Sequence, residues 1–381
     1  MTALADITVI DHTTSFWASV GTALLADFGA NVLRTVPQAS LHGSPEAPNA
    51  PAGVPQGLSV HENALAHRNK REISLKNDAE LHGLVTFADV FVTDLPFAEL
   101  ESRGLTYESL AARNPALIYA CASGYGPEGP DRDLPALDEL AAARTGMMPI
   151  LPQPGEPPVY PGSGQMYSSV MLALGVMLAL HHREENGEGQ RVDVSLFAGN
   201  MYGASLDVQA YLAIGGERFL QPLSRLDAGN PMSGPSYPAS DGRWVTLTMP
   251  DTGRYWDRFA PIVGLDVADP RFDTHEKRCE SSRLELIDHL DTAFRQHPST
   301  HWKALILDLG LSADVIEEYD YPATDPEARA NRYIIDVDGA PSIGFPIHMS
   351  ETPAELSLTP SAFGGHPSPA ARARGDEVAS R

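Results

Sequence analysis

The order of its apolar runs constrains this chain more than any other feature. Residues 7–10, 32–33, 73–75, 90–92 and 117–120 are short strand-like runs, and helix-length segments such as 19–28 separate them. Strands that alternate with helices pair through crossovers instead of hairpins, so the reading is an α/β fold with a parallel sheet. Between the second and third runs, residues 37–58 are rich in Pro, Gly, Ala and Ser and have no period, which reads as a long surface excursion.

Further on, MYSSVMLALGVMLALHH (166–182) carries apolar residues on every face, which predicts a buried central helix. The Gly-rich NGEGQ (186–190) ends it, and a strand at 191–196 follows. A composition shift then interrupts the pattern with Gly215, Gly216, Gly229, Pro231, Gly234 and Pro235, placing a domain boundary there. Asp241-Gly242 reads as a turn between two strands, residues 255–309 read as helical pieces, and 333–347 return to short strands.

The charge excludes whole classes of partner. Twenty-seven Lys and Arg stand against 50 Asp and Glu, a formal net charge of −23, so nucleic acid and anionic membrane are poor partners. Cys121 and Cys279 are too sparse and far apart for a disulfide framework or a zinc site. The N-terminus lacks a signal-peptide pattern and the apolar stretch 170–180 is too short to span a bilayer, so a cytoplasmic protein is expected.

Against this acidic background HRNKR (67–71) is the one concentrated basic stretch. Arg68, Asn69 and Lys70, with Arg34 at the end of an earlier strand, either grip the phosphates of a polyanionic ligand or form a basic turn paired with neighbouring carboxylates. GYGPEGP (124–130) follows a strand, where open α/β sheets bind ligands, and Asp138 and Glu139 begin the next helix. That segment is either a ligand loop or a structural turn with a charged helix start. The carboxylates at 131, 133, 138 and 139 lack the partners and spacing of a metal site, and no metal is expected. No Gly-x-Ser-x-Gly elbow occurs, which removes the serine-hydrolase class. His181 and His182 fit the C-terminal turn of their helix, and His12 is a candidate ligand contact.

Taken in order, VIDHTTSFWASVGTALLADFGANVLRT (9–35), HRNKREISL (67–75), ADVFVTDL (88–95), LESRGLTYESLAARNPALIYACASGYGPEGP (100–130), LPALDELAAARTGMM, NGEGQRVDVSLF, DPRFDTHEKR and DPEARANRY resemble the class III CoA-transferase (CaiB/BaiF) family over nearly the whole chain. That family also contains α-methylacyl-CoA racemases. The resemblance implies a Rossmann-like large domain at 1–215, completed by 340–381, and a smaller α+β domain at 225–335. Linkers fall at 216–224 and 336–339. It also implies two interlocked subunits in a homodimer, coenzyme A or acyl-CoA as substrate, and no tightly bound cofactor. Thr14, Phe16, Trp17, Leu75, Asp94 and Leu95 match the positions along the nucleotide, and Arg34 with the HRNKR stretch supplies charge.

The departures from the family pattern are specific. The family's nucleophilic aspartate stands at the start of the central helix, and here that position is Gln165, with no Asp or Glu between 159 and 169. The racemase His position is Leu137, Asp94 replaces an Asn, and Ser102 stands where an Arg precedes Leu-Gly, with Arg103 one position along. Asp138 matches a carboxylate beside the acyl group and becomes the candidate acid, base or substitute nucleophile if it lies in a pocket. Three functions follow from this pattern. The first is transfer of CoA between carboxylic acids through an altered site. The second is an acyl-CoA lyase, isomerase or dehydratase step using Asp138. The third is a non-catalytic subunit pairing with an Asp-bearing homologue. Phe16, Trp17, Leu137 and Tyr167 are the candidates for an apolar acyl pocket.

Overall fold

The computed structural model describes residues 2–37, 58–215, 220–337 and 340–357. The expected surface excursion lies almost wholly outside the described residues, as do part of the first linker and residues 358–381. The chain divides into two units. One comprises Met1–Met148, Tyr160–Gly215 and Ala330–Arg381, and the other Pro149–Val159 and Gly216–Arg329. This division moves 149–159 from the large to the small unit, and 330–339 from the small domain and its linker to the large unit.

In the large unit the elements run β1 (Thr8–His12), α1 (Phe16–Asp27), β2 (Asn31–Pro37), α2 (Leu58–His67), β3 (Arg71–Leu75), α3 (Asp78–Val85), β4 (Val90–Thr93), α4 (Phe97–Ser102), α5 (Tyr107–Ala111) and β5 (Ile118–Ser123). Next come α6 (Asp138–Ala142), α7 (Gly164–Asn186), β6 (Arg191–Ser195), α8 (Leu196–Gly203) and α9 (Ser205–Ile214). The six strands form one parallel sheet in the order β3-β2-β1-β4-β5-β6. The period of two sorts the side chains: Val9, Val90, Val92, Ile118 and Ala120 face α1 and α7. Ile10, Phe91, Tyr119 and Cys121 face α3, α4 and α5. The strand order reverses between β1 and β4, and ligands of such sheets bind outside the carboxyl ends of the strands at that point.

The smaller unit pairs β7 (Ser233–Pro238), β8 (Trp244–Thr248) and β9 (Ala313–Ile316) in an antiparallel sheet. The expected turn at Asp241-Gly242 joins the first two strands, with Gly242 at φ +80°. Helices α10 (Thr252–Ile262), α11 (His275–Cys279), α12 (Arg283–Phe294) and α13 (Ser299–Asp308) belong to this unit, and its core gathers Trp256, Phe259, Leu290, Phe294 and Trp302.

Helix α7 departs from the expectation of a fully buried helix. Ser168, Ser169, Leu172, Ala173 and Val176 are buried, with Gly187 closing the helix at φ +77°. Its other face leaves Tyr167, Val170, Leu174 and Leu178 exposed, Leu178 by 61%. The helix is also longer than the apolar stretch suggested, with length and composition sufficient to cross a membrane. The buried face packs into the core around α1, as in the interior helix of a globular domain.

The basic stretch is a structural knot inside the large unit. Lys70 Nζ is 2.7 Å from Asp11 Oδ2, 2.6 Å from Ser19 O and 2.8 Å from Thr22 Oγ1, which uses all three of its hydrogens. Arg68 forks onto Asp27 at 2.6 to 3.1 Å and donates to the carbonyls of Ile343 and Gly344. Asn69, at φ +60°, donates to Asp27 and to Glu355 O. These three residues, read from sequence as phosphate contacts, are buried and satisfied by the protein, so the alternative of carboxylate pairing describes them. Burial alone would raise the Asp11 carboxyl, but the Lys70 ammonium and the hydroxyls of Thr13 and Thr22 outweigh it and hold it below its usual range.

Two predictions follow from this packing. Lys70→Met strands the Asp11 carboxylate and is expected to cost about 3–5 kcal/mol in urea unfolding, as breaking a buried pair does. His67 is pushed down to about 3 from 6.5 by burial, then by Arg34 and Lys70. Its unfolded form therefore takes up a proton that the folded form refuses, and stability falls as pH drops below about 6.5. Urea midpoints at pH 7.5 and 5 should show that fall, and His67→Gln should shrink it.

Candidate active site

At the carboxyl ends of β1 and β4 the backbone of the β1–α1 turn meets Asp94. Thr14 N donates to the Asp94 carboxylate at 2.9 and 3.0 Å, and Ser15 N at 2.5 Å. The amides ahead of α1, which favour an anion, thus already hold the protein's own. Beside them His12 Nδ1 lies 2.7 Å from Thr35 Oγ1, and Arg103 Nη2 lies 3.5 Å from His12 Nε2. Arginine has only hydrogens to offer, so Nε2 accepts and Nδ1 carries the proton. Burial and the Arg103 charge lower the His12 pKa and keep the ring neutral.

The remaining candidate positions are distributed around this edge. Arg103 pairs with Asp78 at 2.6 Å and Glu99 at 2.9 Å, and Arg34 pairs with Glu72 at 2.6 Å. All of these pairs are partly exposed, where such bridges contribute little and exchange readily. Phe16, Leu75 and Leu95 are half-buried. Trp17 was expected beside a ligand, but its side chain is 1% exposed and packs in the core, which removes it as a side-chain contact. Its backbone carbonyl accepts from Ser169 Oγ at 2.6 Å, tying α1 to α7.

A second cluster forms at the first turn of α7. Asp138 opens α6 yet is only 6% exposed. Its Oδ1 accepts from Asn200 Nδ2 at 2.7 Å and its Oδ2 accepts a short hydrogen bond from the Tyr160 hydroxyl. Burial and the neighbouring Asp138 raise the Tyr160 phenol, so it keeps its proton. Asp138 is therefore buried among polar partners, and the exposed helix-start alternative does not apply. Leu137 and Tyr167 are exposed by 54% and 45%, and neither lines a closed pocket here.

The sequence reading brought Asp138 and Gln165 to one place but missed Tyr160, Asn200 and Gly164. Their signals were faint: a lone Tyr between prolines, one Asn in the apolar LFAGNMYG, and a Gly at a helix start. Gly164 is required by space, since a Cβ there would stand 2.1 Å from Asn200 Nδ2 and 2.3 Å from Asp138 Oδ1. Gly164→Ala should therefore push Asn200 off Asp138 and cost about 1–3 kcal/mol by overpacking, read as a lowered urea midpoint.

The model of CoA-transferase family III matches residues 4–369. Cinnamoyl-CoA:phenyllactate CoA-transferase of Clostridium sporogenes is 30% identical over 346 residues, covering 87% of this chain and 82% of the relative. (R)-2-hydroxy-4-methylpentanoate CoA-transferase of Clostridioides difficile is 27% identical, covering 87% and 84%. Among solved structures, a CaiB/BaiF family protein from Brucella suis superposes with a TM-score of 0.82 at 23% identity, over 98% of this chain and 99% of that one. A match to the family model over nearly the whole length leads to one conclusion: this chain belongs to CoA-transferase family III.

Proposed function

We propose that this protein transfers CoA between two carboxylic acids without forming a covalent bond to itself. The observation that carries this reading is the state of Asp138. The carboxylate that would replace the missing nucleophile is buried and has a hydrogen bond on each oxygen, which suits holding its neighbours and opposes attack on a thioester. Gln165 occupies the nucleophile's place with an amide that is a poor nucleophile but a good donor to a carbonyl oxygen.

The reaction balances without a protein nucleophile. The acceptor carboxylate attacks the thioester carbonyl, the C–S bond breaks, and CoA thiolate leaves behind a mixed anhydride of the two acids. The thiolate then attacks the acceptor's carbonyl in that anhydride, forming the new thioester and releasing the first acid as its carboxylate. Gln165 donates to the oxyanion in each addition, and holding the acids and thiolate together replaces the advantage of a tethered intermediate.

CoA is the substrate and not a resident cofactor, and it lies along the carboxyl ends of the sheet past Thr14, Phe16, Arg34, Leu75, Asp94, Leu95 and Arg103. The exposed apolar face of α7, continued by Tyr202, Leu206 and Leu212 on α8 and α9, supports a homodimer. The two free cysteines, Cys121 and Cys279, support a cytoplasmic location.

Initial rates with an acyl-CoA and an acceptor acid test the route, beginning with 2-hydroxy acids such as those named for the two relatives. Expected are intersecting double-reciprocal lines and no inactivation by hydroxylamine during turnover, because no enzyme-bound thioester exists to trap. Parallel lines with hydroxylamine inactivation would overturn the non-covalent route. Consumption of acyl-CoA without any acceptor would point to a lyase or isomerase, and transfer only after adding an Asp-bearing homologue would point to a partner subunit. Gln165→Asp should bring hydroxylamine sensitivity with it.

A further inference from the structure

An open groove of about 400 Å³ lies in the large unit, walled by Val20 and Leu24 of α1, Met166 and Val170 of α7, and Ile343 and Phe345 near the end of the described chain. In the parallel sheet α1 follows β1 and α7 precedes β6, so both helices start on the carboxyl side of the strands. From Val20 to Leu24, and from Met166 to Val170, the helical rise gives each wall a length of about 6 Å. The α7 wall begins at the residue after Gln165. It continues to Ser169, whose hydroxyl lies 2.6 Å from Trp17 O and 2.7 Å from Gln165 O. Arg68 is the one charged side chain among the described residues that line the groove, and its charge is already taken up. It pairs with Asp27 at 2.6 Å, donates to Ile343 O and Gly344 O, and lies 5.2 Å from the centre of the Phe345 ring. A charged group entering here would lose water and meet no counterion, whereas an apolar group gains by burial.

We infer that this groove receives the acyl group of the thioester, and that the substrate is an acyl-CoA with an uncharged, apolar acyl end, an aliphatic chain or an aryl group, and not the CoA ester of a dicarboxylic acid. This rests on the CoA-transfer reading above. With the thioester carbonyl at Gln165 and CoA along the carboxyl ends of the strands, the acyl chain descends between α1 and α7 past Met166 and Val170. The occupant follows from continuity and charge: the groove adjoins the turn that carries Gln165, and the single cation on its wall is neutralised by Asp27. An acetyl group leaves most of the groove unfilled, and each further methylene buried there adds about fourfold in affinity. Phe16, Trp17, Leu137 and Tyr167, the residues expected from sequence around an acyl group, do not line it.

The test uses the full-length protein and S-alkyl thioethers of CoA, which bind without turning over. Calorimetric titration should find S-hexyl-CoA bound at least about tenfold more tightly than S-ethyl-CoA, the gain expected from burying several methylenes. The same hexyl chain ending in a carboxylate should bind no more tightly than S-ethyl-CoA. Met166→Asp places a carboxylate on the groove wall in the first turn of α7, where the helix tolerates it. It should remove most of the hexyl preference and leave S-ethyl-CoA within about twofold, and Leu65→Asp, on the α2 side of the groove, should do the same if the first variant fails to fold. Equal affinities for the ethyl and hexyl ligands, tight binding of the carboxylate-ended chain, or a hexyl preference that survives both substitutions would overturn the acyl assignment and leave the CoA-transfer reading standing. A molar mass by light scattering that falls in either variant would show a second copy of the chain on the groove, which overturns the assignment as well. Wild-type protein that binds no S-alkyl-CoA would overturn both readings.

Discussion

Two buried carboxylates, Asp11 at the end of β1 and Asp27 at the end of α1, set the terms for the large unit. Neither tolerates burial as an isolated charge, and each finds its cation in the single stretch Arg68–Asn69–Lys70 ahead of β3. The bonds reach 41 residues in one case and 59 in the other, so they fasten the first βα unit to the crossover that returns to the sheet edge. Lys70 also reaches Ser19 O inside α1, and Arg68 reaches the carbonyls of Ile343 and Gly344, 275 and 276 residues further along the chain. The β1–α1 turn, and with it the Thr14 and Ser15 amides, is held in place by these contacts.

That scaffold determines how the active-site cluster is carried. Helix α1 packs beside α7, and the Ser169 hydroxyl spans from Trp17 O to its own helix at Gln165 O, 2.6 and 2.7 Å away. The first turn of α7 is thereby fixed to the same core that holds the sheet, while α6 and α8 bring Asp138 and Asn200 to it. A side chain that works by donating one hydrogen bond needs such rigidity, because misplacement by an ångström removes most of its effect.

Much of this architecture was legible in the sequence, and the exceptions have physical reasons. The central strands β1, β4 and β5 announced themselves because they are buried on both faces, and Gly187 marked the end of α7 because only the left-handed region closes that turn at low cost. The HRNKR stretch looked like a ligand grip because a charge shows its sign in sequence but not its partner, and Asp11 and Asp27 lie dozens of residues away. Trp17 failed as a ligand contact for a related reason, since one step around the helix separates it from the half-buried Phe16. Tyr160 and Asn200 left almost no trace, being isolated polar residues brought to Asp138 only by the packing of α6, α7 and α8. Helix α7 was read as buried all round, because apolar residues on every face show in sequence without what packs against them, whereas Tyr167, Val170, Leu174 and Leu178 stand exposed.

The Asp94 clamp on the β1–α1 turn changes what an incoming anion encounters. The amides of Thr14 and Ser15 are held by a carboxylate that never diffuses away, a competitor at an effective concentration set by its tether. A small anion that grips at one point gains nothing by displacing it. A ligand that is anchored elsewhere along the sheet arrives tethered as well, and only then is the exchange between equals. On the function proposed above, that exchange favours an extended polyanion over phosphate or sulfate alone.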